Sequence, residues 1–404
     1  MLDNPQKYIK EYLVPNLAQL EKKRKSYVQN LIILKLITLL IAWGYLITND
    51  SMYAYFQDEP IMFLASIALS IIYLCWSLLI QLIGKTHPKV LYSSKGQGLI
   101  IGIILSFICL FVFNPTIVIA FAVSFGLYYA IGYYFFLNPF NKAFKEEFVS
   151  NAFLSIDPNL EYDPKDYVDE KDYNESLLFA NRDYHHYKGE DYLCGNYNET
   201  PFELSEIKVE KDEFYYSEGK RKRRKITVYS GLFMKMELKN NLKSALVLRP
   251  NISEGYNFGG SQLLKDIFGI DLNSNEYAGL HKYKGVHKRR LPFLDIFCYE
   301  EDIVEKLITK EFATNFKRLR DNGIYATISF IDNYMYVAFP PKSRRSNGDA
   351  ESHGDYLEAN ILCSLKDEVF LYQCIEPYLE CLKLIDVFKV KGSPLTELDE
   401  NQLN

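Results

Sequence analysis

Apolar residues gather in the first third of this chain. Between residues 31 and 137 long apolar runs are almost free of acidic and basic side chains, whereas from Lys142 onward charges recur every few residues. A helix rising 1.5 Å per residue needs about 20 apolar residues to cross a hydrocarbon core about 30 Å thick. Four runs meet or approach that length, at residues 31–48, 61–83, 98–113 and 116–137. The third is short, and only Asn114-Pro115 separates it from the fourth, so the two read as a tight transmembrane hairpin. The pattern predicts an α-helical four-span transmembrane bundle.

Flanking charge orients such a bundle, because Lys and Arg in short loops stay on the cytoplasmic side. Lys22, Lys23, Arg24 and Lys25 precede the first run, and the next loop carries Asp50, Asp58 and Glu59 and no base. Lys85, Lys89 and Lys95 follow the second run, and Lys142 and Lys145 follow the fourth. The expected location is an inner or plasma membrane, multi-pass, with both termini cytoplasmic. Residues 1–30 read as a cytoplasmic amphipathic segment: Ile9, Tyr12, Leu13, Leu17 and Leu20 fall near helical spacing, interrupted by Pro15. No small-residue cleavage site follows the first run, so it is expected to stay in the mature protein. Lys35, one turn inside that run, can snorkel to the interface.

Beyond Lys145 strand and helix signals alternate. Residues 226–236, 245–248 and 291–298 are strand-like, and 303–320 is helical by period, with Ile303, Leu307, Ile308, Phe312, Phe316 and Leu319 on one face. Residues 325–331 and 334–339 flank Asp332-Asn333 as a hairpin; 343–354 is a polar loop; 365–388 is a second amphipathic helix containing Pro377. Residues 157–206, rich in Tyr, Asp, Asn and turn formers, are expected to wrap a sheet rather than form one. An α+β cytoplasmic domain over 145–390 follows, with a disordered tail over 391–404.

An ordered set of motifs accompanies this domain: Tyr187-Lys-Gly-Glu-Asp191, Gly195, Thr200-Pro-Phe202, Leu204-Ser-Glu206, Val228-Tyr-Ser-Gly-Leu-Phe233 and Leu246-Val-Leu-Arg-Pro250. The 303–320 helix, Ile328-Ser-Phe-Ile-Asp-Asn333 and Tyr336-Val-Ala338 continue it. In this order they resemble the uncharacterised bacterial family called domain of unknown function 3137. The resemblance implies transmembrane helices ahead of the domain and brings no reaction or ligand.

Charge and chemistry change the picture at two places. A net charge of -5 and a pI of about 5.8 give no basis for nucleic-acid binding, which shows as a basic domain. The exception is local: Lys220, Arg221, Lys222, Arg223, Arg224 and Lys225 follow Phe214-Tyr-Tyr216 and Gly219. This run reads as an exposed hairpin tip, either a solvated charge run or a site for anionic inner-leaflet lipids. The second place is the polar cluster Asp183, His185, His186, Glu190, Asp191 and Cys194. Zinc takes such donors, but adjacent His185 and His186 point apart on a helix or a strand, so a solvated turn is the expected role, with a hydrogen-bonded structural role for Asp191 in a Gly-containing loop as the alternative. Neither a metal nor a cofactor is expected.

Seven cysteines without framework spacing read as free thiols. The expected function is that of a membrane-anchored, non-enzymatic interaction or regulatory protein, with the bilayer and a cytoplasmic protein as partners. A metal- or cysteine-dependent enzyme using 183–206, or a small-solute transporter, are the alternatives.

Overall fold

The computed structural model describes residues 4–64, 66–67, 70–71, 115–179, 184–217, 220–239, 241–250, 276–277, 279–321, 326–339 and 357–388. The chain divides into two compact units, Met1–Ala152 with Leu357–Cys374, and Phe153–Tyr356 with Ile375–Asn404.

The first unit is helical. Helix α1, Pro5–Thr48, starts where Asn4 Oδ1 accepts the Lys7 N–H at 3.2 Å and passes through Pro15 as a 3-10 turn, Val14–Leu17. Asn49 caps the short α2, Asp50–Asp58, accepting the Met52 N–H at 3.3 Å. Helix α3 is Thr116–Leu154. Close packing of α1 on α3 is written into Gly132, where an added Cβ would come within 3.0 Å of Leu31. Trp43 meets Phe121 edge-on at 6.2 Å, and Tyr27 meets Phe136 at 5.8 Å.

Only 33% and 22% of the most apolar stretches of α1 and α3 are buried. A core helix of a water-soluble protein would bury most of that surface. Here Leu40, Ile41, Ile119, Tyr134 and Phe135 face outward. Apolar side chains left exposed over such lengths require an apolar surrounding, and membrane association follows from them.

The structure overturns the expected four-span bundle followed by an α+β domain. Among the described residues two helices are long and apolar enough to cross a membrane, and the largest body of structure is a single antiparallel sheet. The 31–48 and 116–137 runs lie in α1 and α3. Most of the 61–83 run and all of the 98–113 run fall outside the described residues. Run length alone was the basis for four spans, and an apolar run states a solvent preference without establishing a continuous helix.

The second unit is built on a ten-stranded sheet, counted among the described residues. In chain order it contains β1 (Glu161–Asp163), the short helix α4 (Glu170–Glu175), β2 (His186–Tyr197), β3 (Thr200–Ser217), β4 (Lys220–Glu237) and β5 (Ala245–Pro250). Then come β6 (Glu276–Tyr277), β7 (Leu280–Lys282), β8 (Leu294–Cys298), helices α5 (Glu301–Leu307) and α6 (Lys310–Asp321), β9 (Thr327–Ile331) and β10 (Tyr334–Phe339). Helix α7, Glu368–Phe388, is last and contributes its residues from Ile375 onward to this unit. Strand order is β1-β2-β3-β4-β10-β9-β5-β8-β7-β6, and every neighbouring pair is antiparallel.

Strands β5 and β8 are buried on both faces, which explains their unbroken apolar runs. One face carries Ile207, Val209, Tyr229, Phe233, Val247 and Phe297 under Val168, Tyr173 and Phe179 of the 168–179 segment. Lys235 holds that segment through Asp172 at 2.7 Å. The opposite face meets α6, where Phe312 lies 6.3 Å from Phe330.

Residues 157–206 do more than wrap the sheet: 168–179 covers one face, and the rest supplies β1, β2 and part of β3. Glycines that resemble turn formers mark close backbone approach here. A Cβ at Gly189 would meet the Glu206 carbonyl at 2.5 Å, and one at Gly195 (φ +149°) the Asn159 carbonyl at 2.6 Å. The 303–320 helix is divided at Ile308-Thr309. The 343–354 loop and the 391–404 tail lie outside the described residues.

Candidate functional site

The basic run occupies the first six positions of β4 rather than a loop. Its register with β3 sets Lys220 against Ser217, Arg221 against Tyr216, Lys222 against Tyr215, Arg223 against Phe214, Arg224 against Glu213 and Lys225 against Asp212. Pairing with β2 ends at His186↔Glu210 and pairing with β10 at Phe339↔Leu232. Past those points β3 and β4 pair only with each other among the described residues, forming a two-stranded arm. At its root the register shifts, Val209 facing Tyr229 and Glu210 facing Thr227, so Val228 is the extra residue of a bulge.

A bare two-stranded ribbon is marginal in water, and this one is tied by cross-strand pairs worth about 0.2–1 kcal/mol each. Arg223 pairs with Asp212 and Arg224 with Glu213. Lys225 lies 3.6 Å from Glu210, which also holds Lys208 at 2.9 Å. The Arg223 guanidinium, assisted by His186 at 3.1 Å, keeps the Asp212 carboxyl below its ordinary range. Lys208 does the same for Glu210. The inner half of the basic run is thus matched by acids on β3.

The outer half faces no acid directly across the ribbon. Lys220, Arg221 and Lys222 stand opposite Ser217, Tyr216 and Tyr215, which carry no charge. Phe214, Tyr215 and Tyr216 are 51%, 40% and 78% exposed. The Arg221 guanidinium covers the Phe214 ring at 4.0 Å, and Arg224 lies 5.6 Å from the Tyr215 ring. Sequence reasoning found the bases but assigned nothing to the aromatics or to Glu210, Asp212 and Glu213. The signal was present: with Ser217 set opposite Lys220, Glu213 and Asp212 fall opposite Arg224 and Lys225.

The polar cluster is dispersed along β2. His185 Nδ1 accepts the Asp212 N–H at 3.1 Å, while His186 Nε2 reaches the Asp212 carboxylate. Glu190 is paired across the strands with Glu206. Asp191 is fully buried at a second bulge, with φ +61°. Its carboxylate accepts the Tyr162 hydroxyl, and its carbonyl accepts the Tyr378 hydroxyl at 2.9 Å. Burial pushes the Cys194 thiol up, and eight residues of strand separate it from His186, roughly 25 Å at ~3.3 Å per residue. A cysteine-dependent enzyme using 183–206 would need His186 beside the Cys194 thiol to activate it, and that separation rules the pairing out. Asp183 lies outside the described residues. Among the described residues no group of three or more His, Cys, Asp or Glu side chains converges as a metal site.

No family model and no curated protein matches the chain. A crystal structure of the mycobacterial trehalose monomycolate transport factor A, TtfA, superposes with a TM-score of 0.31 and 8% identity, over 64% of this chain and 97% of that one. A superposition this loose does not establish a shared fold.

Proposed function

We propose that this is a membrane-anchored, non-enzymatic interaction protein whose β3–β4 arm binds anionic lipid headgroups at the cytoplasmic surface. The observation that carries the reading is the arm's outer half. Lys220, Arg221 and Lys222 stand there opposite uncharged residues, on the same chain as two helices with exposed apolar surface. Lys22, Lys23 and Lys25 before the first span and Lys142 after 116–137 favour the cytoplasmic side for both flanks. The titratable groups of 183–206 support a non-catalytic role, since Asp191, His185 and His186 are engaged in structural hydrogen bonds.

Each base close to an anionic surface contributes about 1 kcal/mol. Lys220 and Arg221 at the outer end therefore supply about 2 kcal/mol. That attraction fades within roughly 8–10 Å. It suffices for a tethered element, because the anchor has already removed most of the translational cost of the encounter.

The test is native mass spectrometry of the full-length protein released from mixed micelles of detergent with phosphatidylcholine and phosphatidylserine. The wild type is expected to retain phosphatidylserine in preference. A variant with Lys220, Arg221, Lys222, Arg223, Arg224 and Lys225 all changed to Gln should lose that preference; equal retention by both proteins would refute the reading.

A further inference from the structure

We infer that Phe214, Tyr215 and Tyr216 form a wedge that enters the interfacial layer of the bilayer tip-first, adding an apolar contact to the headgroup attraction. This inference rests on the lipid reading of the arm and assigns it three further residues. The first argument is charge arithmetic. Residues 211–225 hold seven bases, and Asp212, Glu213 and Glu218 oppose them, while Arg223, Arg224 and Lys225 already pair with acids of β3. Charge alone then gives a weak contact that salt would remove.

The second argument is geometric. Successive strand residues point to opposite faces, so Phe214 and Tyr216 project from one face of the ribbon and Tyr215 from the other. Neither face of the ribbon's outer end is apolar enough to lie flat on a surface, but an end-on approach puts Tyr216 first at the bilayer with Tyr215 and Phe214 within roughly 7 Å behind it along the strand. Tyr216, the most exposed of them, lies one residue from the Ser217↔Lys220 pair that closes the described ribbon. Tyr belongs among the amphipathic aromatics that settle at the membrane–water interface. Arg221, covering Phe214 at 4.0 Å, keeps its guanidinium at headgroup level while the ring faces inward.

A basic ribbon with aromatics can also stack single-stranded nucleic acid. Two observations favour the bilayer: the exposed apolar helices of the same chain, and Glu210, Asp212 and Glu213 interleaved with the bases, where a polyanion tracking the ribbon would be repelled.

The experiment uses the full-length protein in nanodiscs containing phosphatidylserine, with the photo-cross-linking residue p-benzoylphenylalanine incorporated at position 216. Irradiation is expected to yield lipid adducts on acyl carbons, reduced several-fold in the six-Gln background. In parallel, Phe214→Ser, Tyr215→Ser and Tyr216→Ser combined should lower at least twofold the salt concentration at which the arm's amide protection disappears. Adducts confined to protein, or an unchanged salt midpoint, overturn the wedge. If the six-Gln variant still loses phosphatidylserine preference in the micelle measurement, only the wedge has failed; if it does not, the lipid reading has failed as well. Stronger protection of the arm by a single-stranded oligonucleotide in neutral nanodiscs would overturn the proposal in favour of nucleic acid.

Discussion

Asp191 shows how a residue with the look of a ligand serves the fold. It is fully buried with a left-handed backbone, and its carboxylate and carbonyl take the hydroxyls of Tyr162 and Tyr378. The buried phenols have their acidity suppressed, first by burial and then by this carboxylate. Asp191→Ala would strand the Tyr162 donor, a cost of about 1–3 kcal/mol. Asp191→Asn keeps an acceptor and tolerates positive φ, so its melting temperature should fall less than that of Asp191→Ala. Comparable losses for the two variants would remove the hydrogen-bonding role. A hydrogen-bonded structural role for Asp191 among glycines was legible in the sequence, but its partners, the Tyr162 and Tyr378 hydroxyls, and its place in a strand were not. The Asp191 bulge has no periodic signature, and Gly189 and Gly195 signal turns by composition while serving close approach in a strand.

At the scale of elements, strong periodicity was informative and local breaks were not. The 334–339 and 226–236 signals correspond to β10 and the inner part of β4. The 303–320 pattern keeps its apolar face while the backbone breaks within it. Thr309 Oγ1 caps α6 by accepting the Phe312 N–H at 3.1 Å, and Arg290 donates to the Ile308 carbonyl at 2.9 Å. A hydrophobic period cannot register that break, because both helices bury the same stripe. The arm gives a prediction at this scale. Asp212 has a lowered carboxyl pKa, owing first to Arg223, so its pairing is present above the ordinary value of 3.8 and lost only as pH falls through the depressed one. At neutral pH, therefore, Asp212 is ionised and paired with Arg223. Asp212→Asn should raise phosphatidylserine retention by the full-length protein in the micelle measurement, whereas reduced retention would show that Arg223 needs its partner to present the arm.

At the scale of the molecule, the chain joins a helical unit with outward apolar surface to a sheet unit whose arm ends in bases and exposed aromatics. The first unit also includes Leu357–Cys374. Within it Arg24 donates to the Ile361 carbonyl at 2.8 Å, and Glu21 accepts the Leu365 N–H at 3.0 Å. The sequence offered Arg24 as a positive flank to a membrane run; its pair with Glu21 three residues earlier, at 2.7 Å, is local, whereas the Ile361 carbonyl it also meets lies 337 residues away and leaves no local signal. The division of the chain into an apolar first third and a mixed remainder was legible. The size of the sheet was not, since long-range strand pairing leaves no local period.

The central claim is that a membrane-anchored chain places its arm on anionic lipid. Amide hydrogen exchange across residues 211–226 tests it most directly, with the full-length protein in nanodiscs of phosphatidylcholine alone or mixed with phosphatidylserine. The account predicts slower exchange in the arm only in the anionic discs, reversed by salt and absent from the six-Gln variant, with β5 and β9 unchanged throughout. Identical exchange of the arm in the two kinds of disc would contradict it.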